Sequence, residues 1–307
     1  MKNLNTTTTQ KDTSWHLLVV LWGSLFALII STNIRYSLLP PIYYKNLTTL
    51  LHADKPDIQE IEKMNLKQDL EPVLLDMVKD MDGDTSIYIE DLSTNDYLSI
   101  NNHSMPSASL IKLFVAGCYY EEIEKGNIVE TDLSREQVRI MISNSDNDAW
   151  LWLETYIGFG SIELGIRKVT DFAQSHGYKD SGRWILADEN ASTEVDNNTS
   201  AEDIARVLKE IYEESFVNKD ASKALLQYLK DQIHTYKIPE GIPNDVQTAN
   251  KTGELTNVQN DAAIVYLDNK DYVIVVMMNE VFSETEAIEN IIDISKTTYE
   301  YMKYFDK

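Results

Sequence analysis

Strand-like runs stand near both ends of this chain with a block of helical sequence between them. That order limits the fold more than any other feature. "TSIYIEDL" (Thr85–Leu92) alternates apolar and polar residues, and "DYLSI" (Asp96–Ile100) follows a short Ser93-Thr94-Asn95 turn, so the pair predicts a hairpin. Far downstream, Val246–Lys251, Ala262–Leu267 and Tyr272–Met278 read as three more strands, the last two joined by "DNKD". Between the two groups, helical periodicity predicts helices near Ala108–Glu124, Arg135–Ile142, Ala149–Ile157, Ile162–Ser175, Ser200–Glu214 and Ala221–Ile233. Helices over Ile58–Met81 and Glu284–Tyr304 flank the whole. Strands from both ends then meet in one sheet, and the central helices form their own lobe. The expected class is α+β: an antiparallel sheet covered by the terminal helices, plus an all-helical lobe. The polar stretch Gly177–Thr199 shows little periodicity and reads as a long, functional loop.

The amino-terminal region differs in composition from this body. Trp15–Ile34 contains no Asp, Glu, Lys or Arg. Twenty residues make a helix of about 30 Å, the thickness of a hydrocarbon core. The run exits through Ile-Ile-Ser-Thr-Asn-Ile, a poor signal-peptidase site, so an uncleaved signal anchor is expected. Residues 1–14 then form a cytoplasmic end, 35–57 a proline-bearing tether, and 58–307 the folded domain. Acidic residues number 50 against 27 basic ones, giving a net charge of −23, which opposes nucleic-acid binding. A single cysteine, Cys118, excludes an intrachain disulfide and reads as buried core. The five histidines show no metal-ligand spacing, so no metal or other cofactor is expected.

Three short motifs carry chemistry. Ser109 and Lys112 stand three apart at a helix start, where an ammonium can reach a hydroxyl and unpaired N–H groups favour a developing alkoxide. A hydroxyl needs such a base to become a nucleophile. Ser145-Asp146-Asn147 falls between two helices. It offers a second proton-carrying hydroxyl and an amide able to hold a substrate amide, or simply a helix cap. Lys251-Thr252-Gly253 ends a predicted strand, where the cation and hydroxyl can hold a carboxylate and the glycine lets a ligand lie close. Each is weak alone.

In this order they resemble the signature of class A β-lactamases and penicillin-binding serine hydrolases. "DNNTSAEDIARVL" and "IPEGIPNDVQTANKTGELTNVQNDAAIV" are also similar to that superfamily, and the likeness runs from about Ile58 to Lys307. The resemblance implies a β-lactamase/DD-peptidase-like fold with Ser109 as the acylated nucleophile and Lys112 as its base partner. It implies Ser145 as proton shuttle, Asn147, Lys251, Thr252 and Gly253 as substrate-binding residues, and an oxyanion hole from the backbone N–H groups of Ser109 and Glu254. The implied partner is a small β-lactam or a peptidoglycan-stem-like substrate. The enzyme is expected as a monomer, anchored once in the cell membrane with its catalytic domain outside the cytoplasm.

The pattern breaks in one place. Class A β-lactamases carry Glu-x-x-Leu-Asn in the omega loop, and its glutamate activates the water that clears the acyl group. Here "GYKDSGRWILADENASTEVDNNTS" has Ile185 two residues after Arg183, at the expected place of that glutamate. Arg183 and Asp196 match the salt-bridged loop ends, and Glu189 and Glu194 are candidate replacement bases. Two readings stay open: a hydrolase that turns over its acyl-enzyme, or a penicillin-binding or sensing protein or DD-peptidase that releases it slowly. No arginine lies between Gly253 and Lys307 to add to the carboxylate site. Trp150 and Trp152 read as helix packing rather than a binding platform.

Overall fold

The computed structural model describes residues 65–187 and 193–305. The expected membrane segment and tether, and Glu189, lie outside them. Among the described residues no helix is long and apolar enough to cross a membrane.

The first described element is a wide π-helical turn, Leu66–Leu70, capped by Asn65, whose side chain accepts from Gln68 N at 2.9 Å. It leads into α1 (Glu71–Lys79), with Pro72 in the first turn, where a missing N–H costs no helix bond. The helix expected through Met81 thus ends at Lys79, and its expected start, 58–64, lies outside the described residues.

β1 (Asp84–Asp91) and β2 (Tyr97–Ile100) form the expected hairpin, with Ile87 opposite Ile100. Later come β6 (Thr248–Leu255), β7 (Val258–Val265) and β8 (Tyr272–Asn279). All five join in one antiparallel sheet of order β2-β1-β8-β7-β6, so β6 is an edge. β8 reads "YVIVVMMN" without alternation because both faces of the sheet are covered. Val273, Val275 and Met277 join the helical-lobe core, while Tyr272, Ile274, Val276 and Met278 pack with α1 and α8 (Glu284–Tyr304).

The lobe comprises α2 (Lys112–Glu124), α3 (Asp132–Ser143), α4 (Asn147–Ile157) and α5 (Ile162–Ser175), joined after a second ribbon by α6 (Ala201–Tyr212) and α7 (Lys219–Lys230). α2 is apolar nearly all round and runs through the core, so Cys118 is buried there and its thiol pKa is pushed up.

One sequence expectation is corrected here. The stretch Gly177–Thr199 is not wholly irregular. Gly182–Ala187 (β4) pairs with Thr193–Thr199 (β5), and β5 also pairs with the two-residue β3 (Met105–Pro106). "TEVDNNT" has poor strand propensity, and the pairing is imposed by anchorage at the base of the ribbon. Thr170 Oγ1 donates to Arg183 O at 2.6 Å and accepts from Arg183 N at 3.0 Å.

Candidate active site

Ser109 sits in a 3₁₀ turn, Ala108–Ile111, that runs directly into α2. The residue before it, Ala108, has φ +47°. A side-chain-bearing residue held there costs on the order of 1–2 kcal/mol, so the surroundings must enforce the conformation. They do so from two strands. Asn197 O of β5 accepts from Ser107 N at 2.8 Å and Ser107 Oγ at 2.9 Å. Asn260 Nδ2 of β7 donates to Pro106 O and Ser107 O at 3.0 and 3.2 Å. The Asn260 side chain also accepts from Met278 N at 3.2 Å, which fixes its amide.

Lys112 is the first residue of α2 and is fully buried. Its ammonium donates to Ser145 O at 2.6 Å, Asn147 Oδ1 at 2.7 Å and Ser145 Oγ at 3.3 Å. An ammonium has three donors, and these acceptors use all of them. Burial pushes its pKa down to about 8, opposed by the nearby Asp146 charge. Lys112 is therefore partly neutral near physiological pH, as a proton acceptor for Ser109 must be.

The Ser145-Asp146-Asn147 turn serves both readings of its sequence. Asp146 caps α4, its carboxylate accepting from Ala149 N at 2.7 Å. Ser145, at φ +57°, turns its hydroxyl into the site instead. That hydroxyl also accepts from Lys251 Nζ at 2.8 Å, so it is held by two lysines. Lys251 is completely buried and donates again to Thr252 O at 2.7 Å. Its pKa lies well below the ordinary value because of burial, with Lys112 adding repulsion and Asp261 opposing both.

Lys251-Thr252-Gly253 does not end its strand; β6 continues to Leu255. The Tyr266 N to Gln247 O bond makes that pair hydrogen-bonded, and the register is unbroken from Thr248 to Leu255. Alternation then turns the N–H of Glu254 away from β7, off the free edge. Gly253 lies against the turn that carries Ser109. A Cβ there would stand 2.8 Å from Ser107 O and 3.2 Å from Ser109 N. The N–H groups of Ser109 and Glu254 thus belong to backbone segments in direct contact.

Other predicted residues fall elsewhere. Arg183 ion-pairs with Glu154 of α4, and Asp196 stands opposite Trp184 in the ribbon register. The Arg183 Nε also donates to Asn197 Oδ1 at 2.7 Å. Ile185 stands opposite Val195, and Glu194 opposite Leu186.

Sequence reasoning missed several participants. Trp150 packs against the helical-lobe core as expected, and its ring centre also lies 5.3 Å from the Lys112 ammonium and 4.3 Å from the Arg183 guanidinium. Trp152 does pack, stacked on Tyr156 at 5.0 Å. Lys237 is buried, 3.0 Å from the Glu254 carboxylate, which Tyr236 also hydrogen-bonds. Asp261 is buried and accepts from Ile238 N at 2.9 Å and Asn250 Nδ2 at 3.2 Å. The polar run Gln259-Asn260-Asp261 interrupting an otherwise apolar strand was a usable signal, since buried polar groups must find partners.

Comparisons with known proteins agree with this fold. A family model described as "Beta-lactamase enzyme family" matches residues 65–137 and 129–302. A search of curated proteins returns no match. Among solved structures, PBP-A is similar at 19% identity, covering 78% of this chain and 98% of its own, with a TM-score of 0.67. A PBP-A mutant, solved as an acyl-enzyme complex with penicillin G, is similar at 18% identity, covering 80% and 99%, with a TM-score of 0.66. A class A β-lactamase from Bacteroides cellulosilyticus is similar at 21% identity, covering 78% and 99%, with a TM-score of 0.64.

Proposed function

Because this chain belongs to the β-lactamase enzyme family and is a serine hydrolase of amide bonds, we propose that Ser109 is acylated by β-lactams or acyl-D-alanyl stems and released slowly. The carrying observation is the bond network of Lys112 with Ser145 and Asn147, one helical turn from Ser109. Neutral Lys112 takes the Ser109 proton as Oγ bonds to the substrate carbonyl carbon. The N–H groups of Ser109 and Glu254 receive the oxyanion. Ser145, fed by Lys251, passes a proton to the leaving nitrogen as the amide bond breaks. Lys251 and Thr252 hold the substrate carboxylate, and Asn147 its amide. The penicillin G acyl-enzyme of the PBP-A mutant is a precedent for such an adduct on this fold.

Slow release is supported by what Lys112 contacts. Its three donors reach a carbonyl, a hydroxyl and an amide. Fast turnover would need Glu189 or Glu194 as base. The full-length chain is mixed with a chromogenic cephalosporin while colour and intact mass are followed. A persistent adduct with little colour, lost in Ser109→Ala, is expected. Rapid catalytic colour that drops in Glu189→Gln or Glu194→Gln would overturn slow release, and no adduct or colour would overturn acylation.

The uncharged run Trp15–Ile34 further supports a single-pass anchor with this domain outside the cytoplasm. Protease added to intact cells should then remove the domain, and full protection would overturn that placement.

A further inference from the structure

The reaction above uses the backbone N–H of Glu254 and gives its side chain no task. That side chain is nevertheless held. Its Oε1 pairs with Lys237 Nζ at 3.0 Å and accepts from the Tyr236 hydroxyl. Lys237 is fully buried and also donates to Asn260 O at 3.2 Å. The segment that carries Tyr236 and Lys237 lies between the Ser145 turn and β6. Ile233 N donates to Ser143 O at 3.0 Å, the His234 ring stands 3.3 Å from Asn144 O, and Asn250 Nδ2 donates to His234 O at 3.0 Å. Glu254 and Thr252 are two apart on β6, so their side chains share a face. Asp261 stands opposite Thr252 in the register and belongs to the same face. It accepts from Ile238 N, the residue after Lys237, at 2.9 Å. This face therefore gathers one buried cation, Lys237, and two carboxylates, Asp261 and Glu254. With both ionised, one negative charge is left over.

We propose that the Glu254 side chain sets the charge preference of the site: it claims Lys237 and leaves a surplus negative charge on the face of Thr252, which weakens capture of substrates that present a carboxylate there. This rests on the acylation reading above, in which Lys251 and Thr252 take that carboxylate. The cluster lies within electrostatic range of that pair, since the charges of Lys237 and Glu254 both act on Lys251. Removing the Glu254 charge does not strand a buried cation, because Asp261 still favours the charged form of Lys237. The backbone N–H at position 254 also stays in place. Lys237 is then free to attract a substrate carboxylate, and the excess negative charge is gone. An uncharged substrate gains nothing from either change. Glu254 is thus a specificity-determining residue that reads substrate charge through its side chain.

The test separates charge from shape. Full-length parent, Glu254→Gln and Glu254→Ser are acylated with benzylpenicillin and with its methyl ester, which lacks the carboxylate. Adduct formation timed by intact mass gives the second-order acylation constant. The expected result is a rise of about fivefold or more with benzylpenicillin in both variants, and a change of less than about twofold with the ester. About half or more of the benzylpenicillin gain should disappear in about 1 M potassium chloride, because a carboxylate 42% exposed is open to screening. If Glu254→Ser fails to fold, the isosteric Glu254→Gln carries the comparison. An unchanged or lower constant with benzylpenicillin, or a gain equal for both substrates, overturns the inference while leaving Ser109 acylation standing. A parent chain that carries no adduct overturns both.

Discussion

At Lys112, burial and hydrogen bonding pull against each other. Desolvation disfavours the ammonium, while three acceptors and Asp146 favour it, and the balance falls at about 8. In the proposed acylation the neutral form accepts the Ser109 proton, so acylation should rise about tenfold per pH unit below that value and level off above it. Stopped-flow acylation between pH 6 and 9.5 checks this; a flat profile would remove Lys112 from the base role. At this scale the sequence was informative but incomplete. That Lys112, Ser145, Asn147 and Lys251 meet in one hydrogen-bonded cluster could be read from three motifs in order. The two cations beside Trp150 could not, because an indole on an amphipathic helix looks the same whether it faces core or cation. Asn260 needed its partners, two carbonyls some 150 residues earlier, to show its purpose.

Among the elements, β6 and the turn that carries Ser109 are set against each other at Gly253. Gly253→Ala should force them apart, because the added methyl meets backbone atoms that cannot swing aside. A stability loss of about 1–3 kcal/mol is expected with a fall in acylation of about a hundredfold or more, read by denaturant melts and adduct timing. Wild-type acylation in that variant would show that the oxyanion site tolerates the shift. The strands and helices were mostly legible because periodicity reports burial on one or two faces. Two exceptions follow physically. β6 continues past Lys251-Thr252-Gly253 because pairing with β7 overrides the glycine's weak strand preference. The β4–β5 ribbon was hidden because its order comes from Thr170, Asn197 and Met105 rather than from its own residues.

The whole molecule keeps its chemistry on one side of the sheet and much of its support on the other. α8 packs Ile291, Ile294 and Met302 against the sheet face opposite the helical lobe. Ile291→Ala should cost about 2–5 kcal/mol of stability yet leave the acylation rate of the folded protein unchanged. A melt and an adduct time course on the same sample test both halves, and a fall in acylation well below the melting range would show that the two faces are coupled. The placement of two lysines on one hydroxyl has a different kind of consequence. Lys112 and Lys251 meet at Ser145 inside a protein of net charge −23, and the Lys112 charge makes it harder for Lys251 to carry its own. An arriving carboxylate reverses that pressure on Lys251, which then draws a proton from solvent. Binding of an anionic substrate to Ser109→Ala should therefore be accompanied by proton uptake. In a calorimeter the apparent heat would change with the ionisation enthalpy of the buffer, making the pair a sensor of substrate charge before any bond is broken.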